Sequence, residues 1–198
     1  EDATMPYTAT DDIRVYYEVF GAEDDPVLVL ISGGGAQLLS WDERFIALLT
    51  DAGLRVIRFD NRDTGFSAMF GGPDDLDGGY SLSDMAGDVL RILDDLGVQD
   101  AHVAGHSMGG MMAQMLAIHH PERILSLGLL STIPGQSRLW VAHGERPELA
   151  EAPVRITREQ AVGFTRAAPE ALPAGPLAPS IERHARPTGE AVDRGSYT

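Results

Sequence analysis

The sequence predicts an α/β fold, with a mostly parallel sheet covered by helices on both faces. Three observations lead there. First, "DDPVLVLISGGG" (24–35), "LRVIRFD" (54–60) and "AHVAGH" (101–106) are unbroken runs of small and branched apolar residues, as strands buried on both faces require. Second, the segments between them repeat their apolar residues at helical spacing. Third, strand and helix alternate through residue 132, the order that builds parallel strands with crossover helices.

The elements follow in chain order. "IRVYYEVFG" (13–21) alternates apolar and polar residues and reads as a half-buried antiparallel strand. The first buried strand lies in 24–35, between Pro26 and three glycines. A helix over 41–53 is expected to bury Phe45, Leu48 and Leu49 and to stop at Gly53. The second buried strand follows at 54–60, then an irregular segment to residue 80. In "SLSDMAGDVLRILDDLGV" Ser83 is the expected N-cap, and Met85, Val89, Ile92, Leu93 and Leu96 form the apolar stripe. Strand 101–106, a Met/Ala-rich helix and a fourth strand over 123–132 complete the alternation. Residues 1–132 are thus the expected core. Residues 133–198 hold most of the twelve prolines and no long apolar strand, and are expected to be a lid, cap or linker, with a helix at 157–168 capped by Thr157.

The bulk properties exclude several functions. The chain has 198 residues, a net charge of -15 and a pI near 4.6, so nucleic acid and anionic membrane are not expected partners. It contains no cysteine, which removes disulfides, thiolate metal sites and a cysteine nucleophile. It contains no lysine either, so Schiff-base and P-loop chemistry are absent. No metal constellation and no cofactor are expected. No apolar run approaches the roughly 20 residues of a membrane-spanning helix. The first residues lack the basic-then-apolar pattern of a secretory signal; a cytoplasmic address is the default, with a removed leader left open.

The chemistry concentrates in "HVAGHSMGGMMAQ" (102–114), where Ser107 sits between two glycines at a strand-to-helix joint. Packing has no need of Gly-His-Ser-Met-Gly there. A nucleophile does: a tight turn pushes the hydroxyl into a cleft at the head of a helix, whose N–H groups favour developing negative charge. Gly105 and Gly109 leave room for that turn, and His106 reads as loop support. The backbone N–H groups of Met108 and Gly34 are the expected oxyanion hole. A serine that merely caps the helix is the bland alternative. The methionines at 108, 111, 112 and 115 read as core, and the acidic run "PDDLDGG" (73–79) as a solvated loop.

"GHSMGG", "DNRDTGFS" and the spacing from glycine loop to serine resemble the α/β-hydrolase superfamily of serine esterases. The stretch from "GGGAQLLSWDERF" to "AIHHPERI" is most similar to the branch containing aclacinomycin methylesterase-like carboxylesterases. The resemblance implies that Ser107 attacks a small-molecule ester and forms an acyl-enzyme. It also implies that Asp60 and Arg62 brace the loop beside the oxyanion hole.

Two departures stand out. Many relatives carry His-Gly where this chain has Ser32-Gly33. The resemblance also implies a triad in the order Ser, Asp or Glu, then His, yet the only aspartate after Ser107 is Asp193, with no histidine beyond it. The position at the end of the next strand, an alternative source of the acid, reads Ser131-Thr132. His102, His119 and His120 read as strand-end and helix-capping residues, and His143 and His184 as lid residues. The fold is therefore expected to stop after the lid, with acid and base on a companion C-terminal fragment. The alternatives are a catalytically incomplete binding module, or the same fold acting as a perhydrolase or enol-lactonase.

Overall fold

The computed structural model describes residues 7–8, 13–70 and 79–134. The chain divides into two units, Glu1–Gln136 and Ser137–Thr198, and every described residue belongs to the first. The expected lid helix at 157–168 and, apart from Gly79, the acidic run at 73–79 fall outside the described residues.

Among the described residues five strands form one sheet in the order β1-β3-β2-β4-β5: β1 (Tyr17–Phe20), β2 (Val27–Ile31), β3 (Arg55–Phe59), β4 (Ala101–His106) and β5 (Ile124–Leu130). Only β1 is antiparallel, pairing Tyr17 with Phe59 and Phe20 with Val56. The remaining pairs are parallel, so each needs a crossover, and three helices supply them: α1 (Glu43–Asp51), α2 (Leu82–Asp95) and α3 (Met108–His119).

Alternation along each strand sorts the core into two layers. Val29, Ile31, Ile57, Phe59 and Val103 face α2 and α3, meeting Val89, Ile92, Leu93, Met112 and Leu116. Leu30 and Val56 face the other way and pack with Trp41 and Ile46 of the α1 region. Helices thus cover both faces, and burying each of these side chains contributes about 1.5–3 kcal/mol.

Three expectations change in detail. The α1 helix buries Ile46, with Leu49 partly buried against the same cluster, while Phe45 and Leu48 stay exposed. The α2 helix is capped by Ser81, two residues before the expected Ser83: Ser81 and Asp84 form a reciprocal capping box. The fourth parallel strand, expected over 123–132, forms as Ile124–Leu130, and it leaves Leu125, Leu127, Leu129 and Leu130 exposed.

Candidate active site

Strand β4 runs directly into α3, leaving Ser107 alone at the joint with φ 53 and ψ −119. L-residues rarely adopt a positive φ, and such strain persists only where neighbours over-determine it. Here they do. The Ser107 N–H donates to the Leu130 carbonyl at 3.0 Å. Its carbonyl accepts from Gly110 N at 3.0 Å, Met111 N at 3.3 Å and Thr132 Oγ1 at 2.6 Å. Ser107 stands at the N-cap position, yet its side chain makes no capping bond. A serine whose purpose was to cap the helix would spend its hydroxyl on a backbone N–H.

Close approach explains the flanking glycines. A Cβ on Gly105 would lie 2.2 Å from the Gly109 carbonyl oxygen, and one on Gly109 would lie 2.3 Å from the Ile31 carbonyl oxygen. Both obstacles are backbone, so neither can swing aside. The helix head therefore sits directly on the ends of β2 and β4.

The glycine loop after β2 comes against this bend. A Cβ on Gly33 would be 3.3 Å from Ser107 Cβ and 3.3 Å from His106 Nδ1, while one on Gly34 would be 3.5 Å from Met108 Sδ. Gly33 is thus the loop residue beside the serine, and Gly34 lies beside Met108. His106 is exposed and touches the glycine loop.

Buried polar groups fix the loop from behind. Asp60, fully buried, accepts from Leu38 N at 2.9 Å and Phe66 N at 3.0 Å, tying the end of the glycine loop to the turn after β3. Ser32 Oγ lies 3.2 Å from the Gln37 carbonyl, to which it donates, and 3.0 Å from Ser40 Oγ. The Ser32 carbonyl accepts from Asn61 Nδ2 at 3.2 Å. Ser32 therefore closes the loop on itself, a structural use for its hydroxyl.

Arg62 forms a two-pronged ion pair with Asp88 of α2 at 2.6 and 2.8 Å. Its guanidinium also lies 5.0 Å from the Phe70 ring centre and 5.3 Å from that of Tyr80. The hydrogen bonds to Asp88 raise the Arg62 pKa further above its ordinary value. Burial, then the hydrogen bond to Asp63, pushes the Tyr80 phenol up to about 12. This network braces the turn after β3 against α2.

The histidines are dispersed. His102 Nδ1 is 2.7 Å from Ser126 Oγ of β5. His119 ends α3 and His120 is its C-cap, about 18 to 20 Å along the helix from Ser107 at 1.5 Å per residue. His143, His184 and Asp193 lie outside the described residues. Thr132 carries no signal in its own neighbourhood, because its partner Ser107 is 25 residues away.

With this geometry in hand, the likeness to known proteins becomes specific. The family model described as "alpha/beta hydrolase fold" matches residues 26–189. A RutD protein of Variovorax paradoxus (strain S110), named as a candidate carbamate hydrolase, is 41% identical over 117 residues, covering 59% of this chain and 42% of that one. Rhodomycin D methylesterase DauP of Streptomyces sp. (strain C5) is 38% identical over 120 residues, covering 61% of this chain and 39% of that one. The crystal structure of a hydrolase from Pseudomonas aeruginosa PA01 superposes with a TM-score of 0.65 at 30% identity, covering 100% of this chain and 73% of that one. The matches to the two curated relatives thus span about two fifths of those proteins' length. The model's match over most of the sequence establishes the identity: this chain belongs to the alpha/beta hydrolase fold family.

Proposed function

We propose that the chain supplies the nucleophile of a serine esterase acting on small carboxylic esters. Ser107 Oγ attacks the ester carbonyl, the alcohol leaves, and water then cleaves the acyl-enzyme to free the acid. The N–H groups of Met108 and Gly34 stabilise the oxyanion in each step. One observation carries the reading: Ser107 is held at positive φ at a helix head without using its hydroxyl as a cap. The methylesterase DauP supports an ester as substrate, and the RutD relative extends the range to carbamates. The charge of -15 disfavours polyanionic substrates.

In this reading the acid and base are supplied by a companion C-terminal segment: the only aspartate after Ser107, Asp193, has no histidine beyond it, and His143 and His184, with the glutamates before them, read as lid residues. That same feature favours a second reading, a hydrolase-like module that binds a ligand without turnover. A fluorophosphonate probe with peptide mapping tests both. The esterase reading expects the label on Ser107, and S107A to lose the label together with p-nitrophenyl acetate hydrolysis. It also expects a species above 21.3 kDa, or a co-purifying fragment, in the active preparation. A homogeneous 198-residue protein that never takes the label would establish the module instead.

A further inference from the structure

The peptide unit joining Ser107 to Met108 contains the carbonyl that Thr132 holds and the N–H assigned to the oxyanion. A trans peptide is planar, with its C=O and N–H pointing in opposite directions. Whatever fixes the Ser107 carbonyl therefore fixes the aim of the Met108 N–H.

Three donors reach that carbonyl. Gly110 N and Met111 N belong to the first turn of α3 and would be there in any helix. The third, Thr132 Oγ1, comes from beyond β5 and makes the shortest bond, 2.6 Å. Its contact with the Ile133 carbonyl is longer, at 3.4 Å, so the single hydroxyl proton goes to Ser107. Two residues earlier the Leu130 carbonyl accepts the Ser107 N–H at 3.0 Å, which fixes the peptide on the other side of the serine. Ser131, between these two partners, has φ 45, a bend that lets successive residues reach opposite sides of the serine. Space is also committed: a Cβ on Gly110 would meet Thr132 Cβ and Cγ2 at 2.6 Å.

We propose that Thr132 is a positioning residue that aims the Met108 N–H at the oxyanion of the Ser107 reaction, with the Leu130–Thr132 segment clasping both peptide units of the nucleophile. The proposal rests on the esterase reading above. With its proton spent on the Ser107 carbonyl, this hydroxyl acts on the transition state through the donor it orients.

The test uses three variants on the protein that takes the fluorophosphonate label. T132V keeps the shape and removes the hydroxyl; T132S keeps the hydroxyl. Removing an oxyanion donor outright costs about 100- to 1000-fold in kcat; T132V leaves the donor in place on a less constrained peptide, so a smaller loss is expected. The expected result is a fall of about tenfold in kcat for p-nitrophenyl acetate and in the labelling rate, with KM within about twofold. T132S is expected to stay within about threefold of wild type on every measure. T132A should match T132V, which keeps the test in force if T132V does not fold. Wild-type kcat and labelling rates in T132V or T132A would overturn the proposal alone, as would an equal loss in T132S or a loss confined to KM. Absence of label on wild-type Ser107 would overturn the esterase reading, and the proposal with it.

Discussion

Replacing Asp60 with asparagine tests how the glycine loop is held. The carboxylate is fully buried and accepts two backbone N–H bonds, from Leu38 at the end of the loop and from Phe66 six residues onward. Asparagine has nearly the same shape but only one acceptor oxygen. Its amide nitrogen must face one of the two N–H groups, donor against donor. A hydrogen bond to a charged acceptor contributes about 1.5–3 kcal/mol, and a buried group left unsatisfied costs about 1–3 kcal/mol. D60N should therefore lose about 3 kcal/mol. Urea unfolding followed by circular dichroism measures it, with the exposed Asp51→Asn as a control for charge. Both variants remove one negative charge from a chain of net charge -15, so relief of repulsion alone would stabilise both slightly. D51N should stay within about 0.5 kcal/mol of wild type. A D60N loss below about 1 kcal/mol would refute the carboxylate's role as the anchor of this loop.

Two further outcomes follow from other buried polar groups. D88A leaves the Arg62 guanidinium buried without its carboxylate and should cost about 3–5 kcal/mol by urea unfolding, while the R62M/D88L double variant should recover most of that loss; a double variant no better than D88A would show that the pair is not what matters. The Tyr17 and Tyr80 phenols are each pushed up to about 12, first by burial and then by hydrogen bonds to Asp95 and Asp63. Between about pH 10 and 12 the unfolded chain releases these protons while the folded chain keeps them. Stability must fall as pH rises through that window, and urea unfolding at successive pH values should show the fall.

The architecture was legible because burial on both faces leaves a simple signature. A strand such as 27–31 has no polar residue to alternate with, and the helix period on either side is distinct. Which residue of a helix meets the sheet was less legible. In α1 the apolar residues Phe45, Ile46, Leu48 and Leu49 span more than one face, and only packing against Leu30 and Val56 selects Ile46. The α2 cap had a readable signal that competes with its neighbour: Ser81-x-x-Asp84 is a capping box, while Ser83 lies inside the first turn. At the site, Ser107 and its glycines could be read locally because the bend is made within five residues. Arg62–Asp88 and Thr132–Ser107 could not, since those partners meet only after the sheet has assembled.

Each parallel strand is followed within four residues by a positive φ: Gly35 after β2, Asp63 after β3, Ser107 after β4 and Ser131 after β5. At position 35 the residue is glycine, which adopts that conformation freely. At 107 it is not, and the difference can be measured. A non-glycine residue in such a region stores about 1–3 kcal/mol, while glycine forfeits up to about 1 kcal/mol through the freedom of the unfolded chain. S107G should therefore be more stable than S107A by about 1 kcal/mol, although both lack the hydroxyl and both should fail to react with a fluorophosphonate. The pair isolates the Cβ: alanine keeps the strain and glycine releases it. Thermal unfolding of the two variants side by side decides the matter. If S107A is the more stable, the bend is not strained, and a serine there needs no chemical reason. If S107G is the more stable, the chain holds a side chain at a backbone position where removing it would strengthen the fold, and the hydroxyl is what that strain retains.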